Sequence, residues 1–188
     1  MKLPDQVTHL SKMIRKEIKR KRVHNDLAHS MHLFFLRMNW DKIGEGSYAY
    51  VHGHDDYKIV IKIVNSWDAA YTKYAAFCME NYHRYKHLPK IYGRFKIGTN
   101  QHVYILERLK SVTGSAYMLV DRIDFAFRKY WSTVPPYYVQ ISRRKVEPSI
   151  AKTIRKLPES LKKDCIDIHR GNLMYRKNGT LVLSDVFC

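Results

Sequence analysis

KIGEGSYAYVHGHDDYKIVIKIV, residues 42–64, is where the chain stops reading as helix and starts reading as sheet. KIGEG, SYAYVHGH and YKIVIKIV are short and rich in β-branched and aromatic residues, with a turn at Asp55-Asp56, and they predict two or three strands. Beyond them, KIYGRFKIG (90–98) and QHVYILERL (101–109) predict two more strands, separated by Gly98-Thr99-Asn100, whose chemistry suits a hairpin turn. Residues 67–85, WDAAYTKYAAFCMENYHRY, predict a helix that starts over Trp67 to Ala70 and is closed off by Leu88-Pro89. The sum is a five-stranded sheet with one intervening helix.

Upstream, Val7, Leu10, Ile14 and Ile18 recur at steps of three or four and predict an amphipathic helix over 5–22. Its other face carries Lys12, Arg15, Lys16, Lys19 and Arg20, and the run KEIKRKRVH extends it. Met31 to Met38 predicts a second helix, broken by Asn39-Trp40-Asp41. Downstream, residues 116–133 predict a helix, Pro135-Pro136 a break, and 147–164 a further helix. Leu173 to Tyr175 and Thr180 to Leu183 predict strands joined by a turn at Asn178-Gly179.

The chain has 188 residues and 45% hydrophobic content, enough to bury a core. Lys and Arg number 34 against 17 Asp and Glu, a formal charge of +17 that favours acidic partners such as nucleotide phosphates, nucleic acid, acidic protein surfaces or anionic lipid. Cys78, Cys165 and Cys188 have no metal-ligand spacing and cannot all pair, which suits a reducing cytoplasm. The opening MKLPDQVTHL is charged throughout, which predicts no secretory leader, and the apolar stretches are too short to span a bilayer.

Three places carry chemistry. In Gly44-Glu45-Gly46-Ser47 the glycines let backbone N–H groups approach phosphate oxygens, and because a strand follows rather than a helix, the loop reads as a hairpin lid. Lys62 sits in an otherwise apolar strand, where its ammonium must either reach water or meet an anion. Asp167 and Asn172 lie five residues apart in DIHRGN, and Asp185 follows thirteen residues after Asn172, behind an apolar strand. A carboxylate to orient a hydroxyl and oxygen ligands for Mg²⁺ are what phosphoryl transfer requires of a protein.

In that order and spacing these motifs resemble those of protein kinases. Gly44, Gly46, Ala49 and Val51 match the glycine loop, with Ala49 where a third glycine usually stands. Lys62 in VIKI resembles the strand-three lysine, DIHRGN the catalytic loop, and SDVF the metal-binding segment with only its Asp kept. D-x-H-x-G-N-x-M, AAYTKYAAFC and the D-V-F ending are most similar to the early Ser/Thr protein kinases of short-tailed lytic bacteriophages, over roughly residues 40–188; residues 1–39 match no motif.

The resemblance implies an α+β, two-lobe, protein-kinase-like fold, with an N-lobe over 40–109 of a five-stranded antiparallel sheet and one helix and a minimal, mostly helical C-lobe over 110–188, while residues 1–39 read by periodicity and charge as a basic helical extension ahead of it. It implies ATP and Mg²⁺ as cofactors, and phosphorylation of host proteins, transcription and translation machinery among them, on Ser or Thr in the host cytoplasm. Gly44, Gly46, Ser47 and Val51 would cover the phosphates, Lys62 would pair with them, and Asp167 would act on the acceptor hydroxyl. Asn172 and Asp185 would hold the metal. The Glu107 carbonyl and Leu109 amide would meet adenine, with Leu106 behind it.

The helix partner of Lys62 falls at Glu80 by one count and at Ala76 by another. The chain ends three residues after Asp185, without an activation segment or peptide platform. That leaves room for an alternative, a pseudokinase-like protein that inhibits a host factor through its basic surface. Nucleic-acid binding through residues 12–23 and a small-molecule phosphotransferase of the aminoglycoside type are further options, and no membrane partner is expected.

Overall fold

The computed structural model describes residues 1–20, 26–65, 68–112, 116–130, 147–161, 164 and 166–187. The chain is α+β and divides into two units, one of residues 1–69 and 90–108 and the other of 70–89 and 109–188. Five α-helices lie among the described residues, and none is long and apolar enough to cross a membrane.

In the first unit, helices α1 (Leu3–Arg20) and α2 (Leu27–Arg37) precede strands β1 (Asp41–Gly46), β2 (Ala49–Gly53), β3 (Ile59–Val64), β4 (Ile91–Gly98) and β5 (Gln101–Glu107). The sheet is antiparallel in the order β1-β2-β3-β5-β4. Side chains alternate between faces along a strand. Ile59, Ile61 and Ile63 of β3 join Val103 and Ile105 of β5 in a core with Leu10 and Ile14 of α1 and Met31 and Phe35 of α2. The two helices that the sequence set apart as an extension over 1–39 therefore share one core with the sheet.

α2 is started by Asp26, whose carboxylate accepts from the His29 N–H at 3.0 Å. It stops at Met38, after which Asn39 takes a φ of 58° and turns Trp40 back onto Phe35. α1 is tied to the turn before β3 by Gln6, which is 1% exposed. Its Nε2 donates to the Asp56 carbonyl at 2.9 Å and its Oε1 accepts from the Lys58 N–H at 3.0 Å. Gln6→Ala would leave both backbone groups without these partners, and a loss of about 1–3 kcal/mol is expected in urea unfolding.

The second unit holds most of α3 (Ala69–Asn81), then β6 (Lys110–Ser111), α4 (Ala116–Tyr130), α5 (Pro148–Ile154), β7 (Leu173–Tyr175) and β8 (Leu181–Leu183). β6, β7 and β8 form a three-stranded antiparallel sheet. The β7–β8 connection turns through Gly179, whose φ of +81° favours a residue without Cβ. Tyr74, Leu88, Phe127, Ile154, Leu173, Leu183 and Phe187 are buried here. The one helix expected with the N-lobe sheet belongs, apart from Ala69, to this unit.

Several boundaries differ from the sequence reading. The helix expected over 67–85 runs Ala69–Asn81 and gives way to turns, and Trp67 lies outside the described residues. The helix expected over 147–164 stops at Ile154: Lys156 and Leu157 bond back only three residues, and Pro158, which has no N–H, follows. Only the short 3₁₀ turn Glu159–Leu161 resumes. The ends of the helices expected over 5–22 and 116–133, and the Pro135-Pro136 break, lie outside the described residues. β6 was not foreseen, since two residues carry no periodicity.

Candidate functional site

In the second unit, DIHRGN and the segment around Asp185 are knitted backbone to backbone. The Asp167 N–H donates to the Val186 carbonyl at 3.0 Å, and Ile166 bridges Phe187. The Asn172 carbonyl accepts from both the Ser184 N–H and the Ser184 hydroxyl at 2.9 Å. Asp185 thus lies between two residues hydrogen-bonded to the loop that carries Asp167 and Asn172.

That loop turns tightly because the His169 ring accepts from the Gly171 N–H at 3.0 Å, starting the 3₁₀ turn Arg170–Asn172. Asn172, 7% exposed, donates its amide nitrogen to the Asp167 carbonyl and to Asp167 Oδ2, both at 2.9 Å. His169 Nε2 lies 3.4 Å from the same carboxylate. Asp167 is held from two sides yet keeps a side chain 45% exposed. With the Asn172 amide nitrogen committed to Asp167, its Oδ1 is the atom that could take a metal, and it and the Asp185 carboxylate are hard oxygen ligands of the kind Mg²⁺ takes. Among the described residues no group of three or more His, Cys, Asp or Glu could hold a metal ion.

The Tyr74 hydroxyl donates to the Leu183 carbonyl, and the Tyr74 ring packs 5.5 Å from that of Phe187, which Phe127 meets edge-on. Burial holds the Tyr74 phenol well above its ordinary range and pushes the neighbouring Cys78 thiol up as well, so neither ionises near neutrality. Lys73 Nζ pairs with Asp164 at 3.0 Å and fastens α3 to the approach of the loop. Tyr74 and Ser184 were missed in the sequence; a serine directly before Asp185 was the available signal for the second.

The first unit brings together a different set. Partners facing each other across antiparallel strands share a face. Gly44, Val51, Lys62 and Tyr104 form one row across β1, β2, β3 and β5. Gly46, Ala49, Val64 and His102 form the next, and Gly53, Val60 and Leu106 a third. This face is opposite the one that α1 and α2 cover. Lys62 is 6% exposed on it and Leu106 8%. A Cβ on Gly44 would touch the Val51 side chain at 3.4 Å, whereas one on Gly46 would meet nothing within 4 Å. Ser47 and Tyr48 form the hairpin turn between β1 and β2 and are exposed.

Glu107 is only 9% exposed, and its carboxylate accepts from the Lys90 N–H at 2.8 Å while its own N–H donates to the Lys90 carbonyl at 3.0 Å. Its side chain therefore closes the start of β4. The chain passes from the first unit to the second between Arg108 and Leu109. Glu80 is exposed, on the side of α3 away from Tyr71, Tyr74, Ala75 and Cys78, and Ala76 is half-buried. No protein-family model matches the chain, and no curated protein matches it in sequence.

Proposed function

We propose that the chain is an ATP- and Mg²⁺-dependent phosphotransferase of protein-kinase-like fold that acts on Ser or Thr of proteins. The observation that carries this reading is the hydrogen-bonded junction of Asp167, Asn172 and the Asp185 segment. The sheet supports it, because its order and register put Gly44, Val51, Lys62 and Leu106, four residues named for the nucleotide, on one face. Bound Mg²⁺ would neutralise charge on the transferring phosphoryl group. For the chain's own part, Lys62 binds phosphate oxygens, Asn172 holds Asp167 in place, and Asp167 receives the acceptor hydroxyl's proton.

The similarity of DIHRGNLM and the D-V-F ending to phage Ser/Thr kinases extends the proposal to host proteins as acceptors, in the host cytoplasm. A second reading, which the formal charge of +17 supports, is a nucleotide-binding pseudokinase that engages a host factor through its basic surface.

A thermal melt with ATP and Mg²⁺ tests nucleotide binding. Ligand at a hundred times its Kd should add about 2.7 kcal/mol to the stability of the wild type. Lys62→Ala and Asp185→Ala should each abolish that gain. A gain that survives in both variants, or is absent from the wild type, defeats the proposal. Label transfer from γ-labelled ATP to a protein acceptor then separates the kinase from the pseudokinase.

A further inference from the structure

Lys12, Arg15, Lys16 and Lys19 are exposed along one side of α1, at steps of three, one and three. At about 1.5 Å per residue they span roughly 10 Å of the helix axis. No carboxylate interrupts them: the acids of α1 are Asp5, in its first turn, and Glu17, which is 4% exposed on the packed face. The helix presenting them is held rigidly. Leu10 and Ile14 are fully buried against the sheet, Gln6 bonds to the turn before β3, and the Arg15 guanidinium lies 5.8 Å over the ring of Phe95 on β4.

We infer that this stripe binds the phosphate backbone of nucleic acid, without reading bases. One strand of a duplex places a phosphate about every 3.4 Å of its axis, so the stripe's length matches about three phosphates. A preformed row of cations is what backbone contacts need, and the stripe holds no aromatic ring for stacking on bases. A membrane surface fits less well. An amphipathic helix binds lipid by burying its apolar face, and the apolar face of α1 is already committed to the sheet. The inference stands independently of the phosphotransferase reading.

The test compares the wild type with two variants of equal charge change. One carries Lys12→Glu, Arg15→Glu, Lys16→Glu and Lys19→Glu; the other carries Arg84→Glu, Lys152→Glu, Lys156→Glu and Lys177→Glu, all exposed and distant in sequence from the stripe. Circular dichroism and urea melts confirm folding, and a Gln version of the stripe variant replaces the Glu version if that one unfolds. Affinity for a fluorescein-labelled DNA duplex is measured against salt.

Three phosphate contacts contribute about −2.7 to the slope of log K against log salt, or roughly 40-fold in affinity between about 50 and about 200 mM. The stripe variant should lose that part of the slope, and the second variant should keep it. Equal losses in the two variants would show net charge acting alone and overturn the inference. So would phosphatidylserine vesicles or polyglutamate binding the wild type as tightly as the duplex, results that point to a lipid surface or an acidic protein instead.

Discussion

Asp167→Asn is expected to lower phosphoryl transfer by about 10²–10⁴-fold, the usual contribution of a positioned general base, while leaving the ATP-induced rise in melting temperature intact. The two effects separate because Asp167 stands at the acceptor end of the proposed chemistry, whereas Lys62, Asn172 and Asp185 stand at the nucleotide end. An asparagine at 167 can still accept the Asn172 amide, so the loop should keep its shape. Asp185→Ala should remove both the transfer and the thermal gain. Label transfer to a basic model protein, measured beside the thermal melt, distinguishes the two variants. An Asp167→Asn protein that keeps more than a tenth of wild-type transfer would show that another group takes the proton.

Acidification is expected to unfold the first unit through three buried histidines. His32, His52 and His102 are 8%, 0% and 3% exposed. Burial is the largest cause lowering the pKa of each below the ordinary 6.5, helped at His32 by His29 and Lys42, at His52 by the charging of His32 and by Lys42, and at His102 by Arg94 and Lys96. For His52 and His102 the hydrogen bonds give the same answer. The His52 Nδ1–H donates to the Trp40 carbonyl at 3.3 Å, so its Nε2 must accept the His32 Nδ1–H at 2.9 Å. His102 Nε2 accepts from the Arg94 guanidinium at 2.9 Å. A proton on either accepting nitrogen would face an N–H.

The folded state therefore keeps these rings neutral while the unfolded chain charges them. Stability is unaffected above about pH 6.5 and falls below it, by up to about 1.4 kcal/mol per pH unit for each ring, until the folded rings themselves titrate. Three rings together amount to as much as about 4 kcal/mol per unit, a large part of a small domain's stability. Urea midpoints followed by tryptophan fluorescence between about pH 7 and about pH 5 measure it. His52→Gln should flatten the dependence by about a third. A midpoint that does not move over that range would mean that the rings charge within the fold.

The sheet was legible because its strands state their faces in alternating residues and their turns in turn chemistry. Asp55-Asp56 and Gly98-Thr99-Asn100 fall at the connections, and Asn100 takes a φ of 58°. The helix of the DIHRGN region's neighbourhood was less legible. In 147–164 the apolar spacing continues past Ile154, and the break comes from Pro158 rather than from a loss of hydrophobic residues. β6 exists through its pairing with β7, some sixty residues away in the chain, and such partners leave no local mark.

Lys62, Asp167, Asn172 and Asp185 were picked out by their order and spacing in the sequence. The carbonyl of Asn172 gripping Ser184 was not, because backbone bonds have no sequence signature. The burial of His32 against His52 had one: His52 alternates in step with Tyr50, on the apolar side of β2.

The path of the chain has a consequence for anyone wishing to handle the halves separately. It leaves the first unit after residue 69, re-enters at 90, and leaves again after 108. Neither half is a single continuous stretch: one cut after residue 108 keeps all of the first unit only with the 70–89 excursion still attached, and it leaves the second unit without those residues. A recombinant half would have to be rewired with an artificial linker in place of the excursion between β3 and β4, and a graft joined at a single seam would carry fragments of both.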